Sequence, residues 1–222
     1  MVYFPPEDIK TAAPSVAMAT PAELRARLRD LIDSPVSTTV QQRMEQFREV
    51  DDLFCELCFC TLTANTSAEK AIEVQKALGD DFCTLEQEQL RGRLKQAGYR
   101  FTNRAAYICQ NRRYRDIGNI LKRFSNAHEA REWLVEHIKG LGYKEASHFL
   151  RNVGYTDVAI IDRHVLRIME RHGLIDEIPA SLSRQQYLLM EERLRELAND
   201  VDVTLAELDL YLWYMETGTI LK

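Results

Sequence analysis

Apolar positions along this chain recur every three to four residues in short blocks. No alternating apolar and polar run is long enough to make a convincing strand. The first block opens at Thr20-Pro21-Ala22-Glu23, which places a capping residue, a proline at the first helical position and an acid in the first turn. A helix is expected from there to Asp33, stopping before Ser34-Pro35, and the residues up to Thr20 read as irregular. Further helices are expected over Val36–Phe47 and Val50–Thr63, the second almost wholly apolar and so buried on most sides. Ser67–Leu78 follows, ended by Gly79, and Thr84 reads as the start of another helix with Glu86 and Glu88 in its first turn. Phe101–Arg113, Ile117–Phe124 and Asn126–Lys139 continue the series. The pattern predicts an all-α protein of many short helices, without internal repeats or low-complexity segments.

Composition supports this. In 222 residues only nine are glycine and six proline, while 45% are hydrophobic and 28% charged, the balance of a soluble globular protein. No run of eighteen apolar residues marks a membrane span, and the first ten residues lack the layout of a secretory signal. The five cysteines lie between Cys55 and Cys109; an odd number so clustered points to a reducing, cytoplasmic setting rather than a disulfide scaffold. Cys55, Cys58 and Cys60 sit inside the apolar helix, where they point different ways and read as buried structure, not metal ligands.

The net charge is −5, which taken alone argues against nucleic acid. The charge is unevenly spread, however. Arg91, Arg93, Lys95, Arg100, Arg104, Arg112, Arg113, Arg115, Lys122 and Arg123 face a single acid, Asp116, within their stretch. A local positive face can bind phosphates even on an acidic protein.

The most informative stretch is residues 138–154, IKGLGYKEASHFLRNVG. One helix ends at Lys139, another starts near Tyr143, and Gly140-Leu141-Gly142 lies between them. The two glycines permit a tight turn through positive φ. Leu141 can tuck between the helices, and Ala146 lets them pack closely. The turn leaves the amides of Gly142, Tyr143 and Lys144 at a helix N-terminus, where unpaired N–H groups bind phosphate. By itself this is either a plain helical hairpin or a DNA-binding one. Taken singly, Lys144 is a solvated first-turn lysine and Asp162 a helix N-cap.

The pair at this spacing is more specific. Lys144 stands two residues after Gly142, and Asp162 follows eighteen residues later, opening Asp162-x-His164-x-x-Arg167. This arrangement resembles the helix-hairpin-helix glycosylase superfamily, which includes endonuclease III and the 8-oxoguanine glycosylases. The resemblance implies a bifunctional DNA glycosylase/AP lyase in which Lys144 attacks the sugar C1′ as the damaged base leaves. The strand is then cut by β-elimination from a Schiff base, while Asp162 stabilises developing positive charge or helps deprotonate the amine. A helix N-terminus, and desolvation by bound DNA, both disfavour a cation there. Gly140, Gly142, Tyr143, His164 and Arg167 would contact DNA. Asn65, in LTANTSAEKA, would fill the gap left by the flipped nucleotide.

No cysteine follows Cys109, so the four-cysteine iron-sulfur loop of endonuclease III is not expected, and no cofactor is implied beyond room for a monovalent cation at the hairpin. The ending LDLYLWYMETGTILK resembles the compact archaeal and bacterial 8-oxoguanine glycosylases, whose chains end in a lysine that helps recognise the base. Lys222 takes that place nine residues after Trp213, with Trp213 and Phe101 able to stack on the extruded base and Asp209 on the Trp213 helix face. Both the ammonium and the terminal carboxylate of Lys222 are available in this reading, the chain turning back toward Trp213 through Thr217-Gly218-Thr219.

The resemblance implies two helical lobes with DNA and the flipped base between them: residues 51–156 as one lobe ending in the hairpin, and residues 157–222 as the other, packed by the 1–50 segment. The expected partner is double-stranded DNA carrying oxidised guanine, bound by a monomer in a cytoplasmic, nucleoid-associated setting with no membrane. Excision of another oxidised base, or a non-catalytic hairpin module that binds only phosphates, are the alternatives.

Overall fold

The computed structural model describes residues 2–3 and 19–222, so the expectation of an irregular segment before Thr20 falls mostly outside the described residues. Thirteen α-helices make up almost all the regular structure among them. Among the described residues no helix is long and apolar enough to cross a membrane. Contacts divide the chain into two compact units. The first comprises residues 1–45 and 156–220, the second residues 46–155 together with Leu221 and Lys222.

In the first unit, α1 (Pro21–Ile32) begins as its sequence predicts. Thr20 accepts from the Glu23 N–H, Glu23 closes back on the Thr20 N–H, and Pro21 occupies the first turn. Leu24 and Leu28 are its buried stripe. α2 (Val36–Arg48) spans the boundary between the units. α11 (Arg163–Arg171) and α12 (Arg184–Asp200) both pack on α13 (Leu205–Thr217), around Leu166, Met169, Leu194, Leu208 and Leu212. No strand is expected from the sequence, yet Val2–Tyr3 pairs antiparallel with Ser181–Leu182. Two residues a side is too short for alternation to be visible.

The second unit is built around α3 (Leu53–Thr63), buried on nearly every side as its composition demands. α4 (Ala68–Leu78), α7 (Arg104–Asn111), α8 (Ile117–Leu121) and α10 (Tyr143–Asn152) surround it, and α9 (Ala127–His137) packs on α10. Thr84 does not start a helix. It ends the short α5 (Asp81–Thr84), and α6 (Gln87–Gln96) starts three residues later, where Gln89 accepts from the Glu86 N–H. The break has a tertiary cause. The Arg112 guanidinium donates to the Phe82 and Leu85 carbonyls at 2.8 and 2.6 Å, fixing the chain in an extended turn there. The expected Phe101–Arg113 helix is likewise shorter, beginning at Arg104 and passing into a 3₁₀ turn over Arg112–Tyr114.

Candidate active site

The hairpin between α9 and α10 rests on α7. Asn111, at the end of α7 and 2% exposed, holds the Lys139 peptide from both sides. It accepts from the Lys139 N–H at 2.9 Å and donates to the Lys139 carbonyl at 3.0 Å. The next residue, Gly140, has φ +90°, and a Cβ there would meet Tyr107 Cδ2 of α7 at 2.7 Å. Gly140 is therefore required twice over, by conformation and by space. Gly142 is different: its φ is −98°, ordinary extended backbone at the α10 N-cap. Its amide is not open to a phosphate as the sequence suggests, because the Glu145 carboxylate accepts it at 3.3 Å. Leu141 is buried, and Ala146 is completely so, which lets the helices approach.

Polar contacts lock the two hairpin helices together. The fully buried Arg131 of α9 donates to Ser147 Oγ at 3.1 Å and lies 5.5 Å from the Tyr143 ring centroid. The Tyr143 hydroxyl donates to Glu132 at 2.5 Å. On this frame Lys144 occupies the first turn of α10 with its side chain only 16% exposed, its ammonium 3.8 Å from the Glu145 carboxylate. One turn further on, His148 is buried against Phe59, their rings edge to face at 5.6 Å. Burial, then the charges of Arg151 and Lys144, push the imidazole well below its usual range.

Asp162 is the N-cap of α11 in the first unit, accepting from the Val165 N–H at 3.0 Å. The segment leading to it is pinned from α12. Glu191 accepts from the Ala159 N–H at 2.7 Å, while the Tyr187 hydroxyl donates to the Ala159 carbonyl at 2.8 Å and accepts from the Ile161 N–H at 3.2 Å. Both side chains are buried. They set the height and direction of Asp162, and nothing in their local sequence marks them for it. His164 lies edge to face with Trp213 of α13 at 5.2 Å, and Arg167 stands one turn along on α11. Trp213 Nε1 is buried without a hydrogen-bond partner. Asp209 precedes Trp213 by one turn.

In the second unit, Asn65 is exposed at the turn after α3 with φ +59°, a conformation asparagine tolerates better than most residues. Phe101 lies before α7, edge to face with Tyr99 at 6.2 Å. Lys222 lies in this unit as well. Its ammonium is engaged inside this unit, 2.5 Å from the Glu56 carboxylate and 2.8 Å from Gln75 Oε1, over the Phe59 ring. The structure thus gathers Gly140, Gly142, Tyr143, Lys144, Asn65, Phe101 and Lys222 in the second unit, and Asp162, His164, Arg167, Asp209 and Trp213 in the first.

The basic stretch divides in role. Arg93 pairs with Asp81 at 2.8 Å and Arg112 caps α5, whereas Arg91, Lys95 and Arg100 line one open groove. Cys58 and Cys60 are buried and their thiols are pushed up by desolvation; Cys55 rises to about 11 for the same reason. Among the described residues no cluster of three His, Cys, Asp or Glu side chains could hold a metal ion.

Residues 40–203 match the family described as 8-oxoguanine DNA glycosylase. A curated relative from Methanocaldococcus jannaschii, named 8-oxoguanine DNA glycosylase/AP lyase, is 49% identical over 202 residues, spanning 88% of this chain and 98% of its own. The crystal structure of the Methanocaldococcus jannaschii enzyme in complex with a 15mer DNA containing 8-oxoguanine superimposes with a TM-score of 0.88 at 48% identity, covering 90% of this chain and all of that one. The 8-oxoguanine DNA glycosylase of Thermotoga maritima superimposes with a TM-score of 0.86 at 43% identity, covering 91% of this chain and all of that one. With a hairpin that carries Lys144, an aspartate-capped α11 and these matches along most of its length, the chain belongs to the 8-oxoguanine DNA glycosylase family, in its compact archaeal and bacterial form.

Proposed function

We infer that the protein is a bifunctional DNA glycosylase/AP lyase that removes 8-oxoguanine from duplex DNA, and that Lys144 is its nucleophile. The observation that carries the assignment of Lys144 is its position. It stands in the first turn of α10, with a largely sheltered side chain on a hairpin braced by Asn111, Arg131 and Glu132. The neutral amine attacks C1′ of the flipped nucleotide as the C1′–N9 bond breaks, and the electron pair of that bond leaves with the base. The sugar ring then opens to a Schiff base between Lys144 and C1′. Loss of a C2′ proton expels the 3′ phosphate by β-elimination, and water releases the lysine. In this reading Asp162 stabilises the positive charge that develops on the sugar; support comes from its fixed cap on the Val165 N–H and from the Tyr187 and Glu191 contacts that pin the segment before it.

The amides of Tyr143 and Lys144 at the start of α10, with Gly140 and Gly142 keeping the backbone accessible, serve a DNA phosphate, and His164 and Arg167 contact a second stretch of backbone. A monovalent cation at the hairpin, if bound there, would add positive potential beside the phosphate. Asn65 fills the gap left by the flipped nucleotide, while Trp213, Phe101, Asp209 and Lys222 read the base. Borohydride treatment of the protein with an 8-oxoguanine duplex should trap a covalent adduct in wild type. Lys144→Gln should bind the duplex yet give no adduct, and strand cleavage by that variant at the wild-type rate would overturn the assignment.

A further inference from the structure

Glu56 is out of place by composition. It sits in the middle of the apolar α3, only 2% exposed. A carboxylate in such surroundings is costly unless it is paired, and an apolar group of the same volume would be neutral or stabilising in its place. Its partners are specific. Oε1 accepts from Asn152 Nδ2 at 2.5 Å; Oε2 accepts from Lys222 Nζ at 2.5 Å and from Gln75 Nε2 at 3.3 Å. Gln75 in turn accepts from the same ammonium at 2.8 Å, and the Phe59 ring centroid lies 4.7 Å beneath it. A terminal lysine ordinarily frays into solvent. Here Lys222, its side chain 23% exposed, is paired with a buried acid that no other feature of α3 calls for.

We propose that Glu56 is a positioning residue for base recognition: it clamps the Lys222 ammonium beside Gln75 and over Phe59, and so fixes Lys222 within the base-reading surface. This rests on the reading that Lys222 takes part in recognising the base. Oxidation at C8 of guanine changes few groups, so a site that tells the two bases apart needs its polar groups held in fixed places. Without Glu56 the ammonium is released and Lys222 loses its fixed place.

The test compares single-turnover excision from an 8-oxoguanine duplex with cleavage of a pre-formed abasic duplex, which needs Lys144 but no base reading. In Glu56→Gln the side chain keeps its shape and can still accept from Asn152, and only the charge is lost. Excision should fall at least about tenfold, and abasic-site cleavage by much less. Lys222→Met, which breaks the same pair from the chain end and leaves α3 intact, should reproduce this loss even if Glu56→Gln folds poorly. Adding Glu56→Gln to a Lys222 deletion should lower excision no further, because the clamp acts only through that residue. The proposal is overturned if deletion abolishes excision while Glu56→Gln or Lys222→Met retains it, or if the losses multiply in the double variant. If deletion itself leaves excision intact, the base-reading role of Lys222 falls first and the clamp with it.

Discussion

Gly140→Ala separates the two hairpin glycines, which look equivalent in Gly140-Leu141-Gly142. At Gly140, φ is +90°, a region that costs an L-residue about 1–2 kcal/mol. The new Cβ would also meet Tyr107 Cδ2 at 2.7 Å, with Thr61 Cγ2 at 3.4 Å, and overpacking of this kind costs about 1–3 kcal/mol. Reduced freedom of the unfolded chain returns about 0.4–1 kcal/mol. The net loss should be about 3 kcal/mol, a fall of about 6–12 °C in Tm for a chain of this size. At Gly142 the backbone is already extended, and a Cβ would lie 3.4 Å from the movable Glu145 Oε2. Gly142→Ala should therefore cost under about 1 kcal/mol, the difference between glycine and alanine at an N-cap. Urea denaturation followed by circular dichroism measures both variants. A double-mutant cycle with Tyr107→Ala isolates the steric part, which should appear as a favourable coupling of about 1–3 kcal/mol. Equal losses at the two glycines, or no coupling to Tyr107, would show that the hairpin is not built on α7 as described.

Asp162→Asn should lower base excision by orders of magnitude and change stability little, since asparagine also caps the Val165 N–H; full activity in a folded variant would leave Asp162 with a structural role alone. Binding to undamaged duplex should weaken steadily from low to moderate salt despite the net charge of −5, and a salt-independent Kd would contradict phosphate contacts by the hairpin and the Arg91–Lys95–Arg100 groove. Stability should fall with acid. The unfolded His148 imidazole takes up a proton near about pH 6.5, whereas the folded one resists protonation until well below. The contribution is complete above that pH and is lost below it, at up to about 1.4 kcal/mol per pH unit. His172, lowered by burial, adds in the same direction. Thermal melts from pH 8 to pH 5 should show a shallower slope for His148→Gln, and an unchanged slope would refute the role.

The sequence by itself determined the helices and the chemistry carried on single turns. Thr20-Pro21 at α1 and Asp162 at α11 are local devices, each satisfied by atoms within about four residues, and the glycine pair before Lys144 marks a tight turn by residue type alone, so these signals survive in a linear reading. Only the tertiary structure decided what lies beneath them. Thr84 reads as a helix start, but Arg112, far along the chain, takes the Phe82 and Leu85 carbonyls and the helix begins at Gln87 instead. Asn111 beneath Gly140, and Tyr187 with Glu191 beneath Asp162, are ordinary helix residues until the fold brings them to the backbone they hold. Lys222 was legible as a distinctive chain end, but both of its polar groups read as free. A buried ion pair 166 residues apart leaves no periodicity, cap or spacing in the sequence, because its partners are chosen by packing: the apolar α3 shelters one carboxylate, and the chain end is the cation that reaches it.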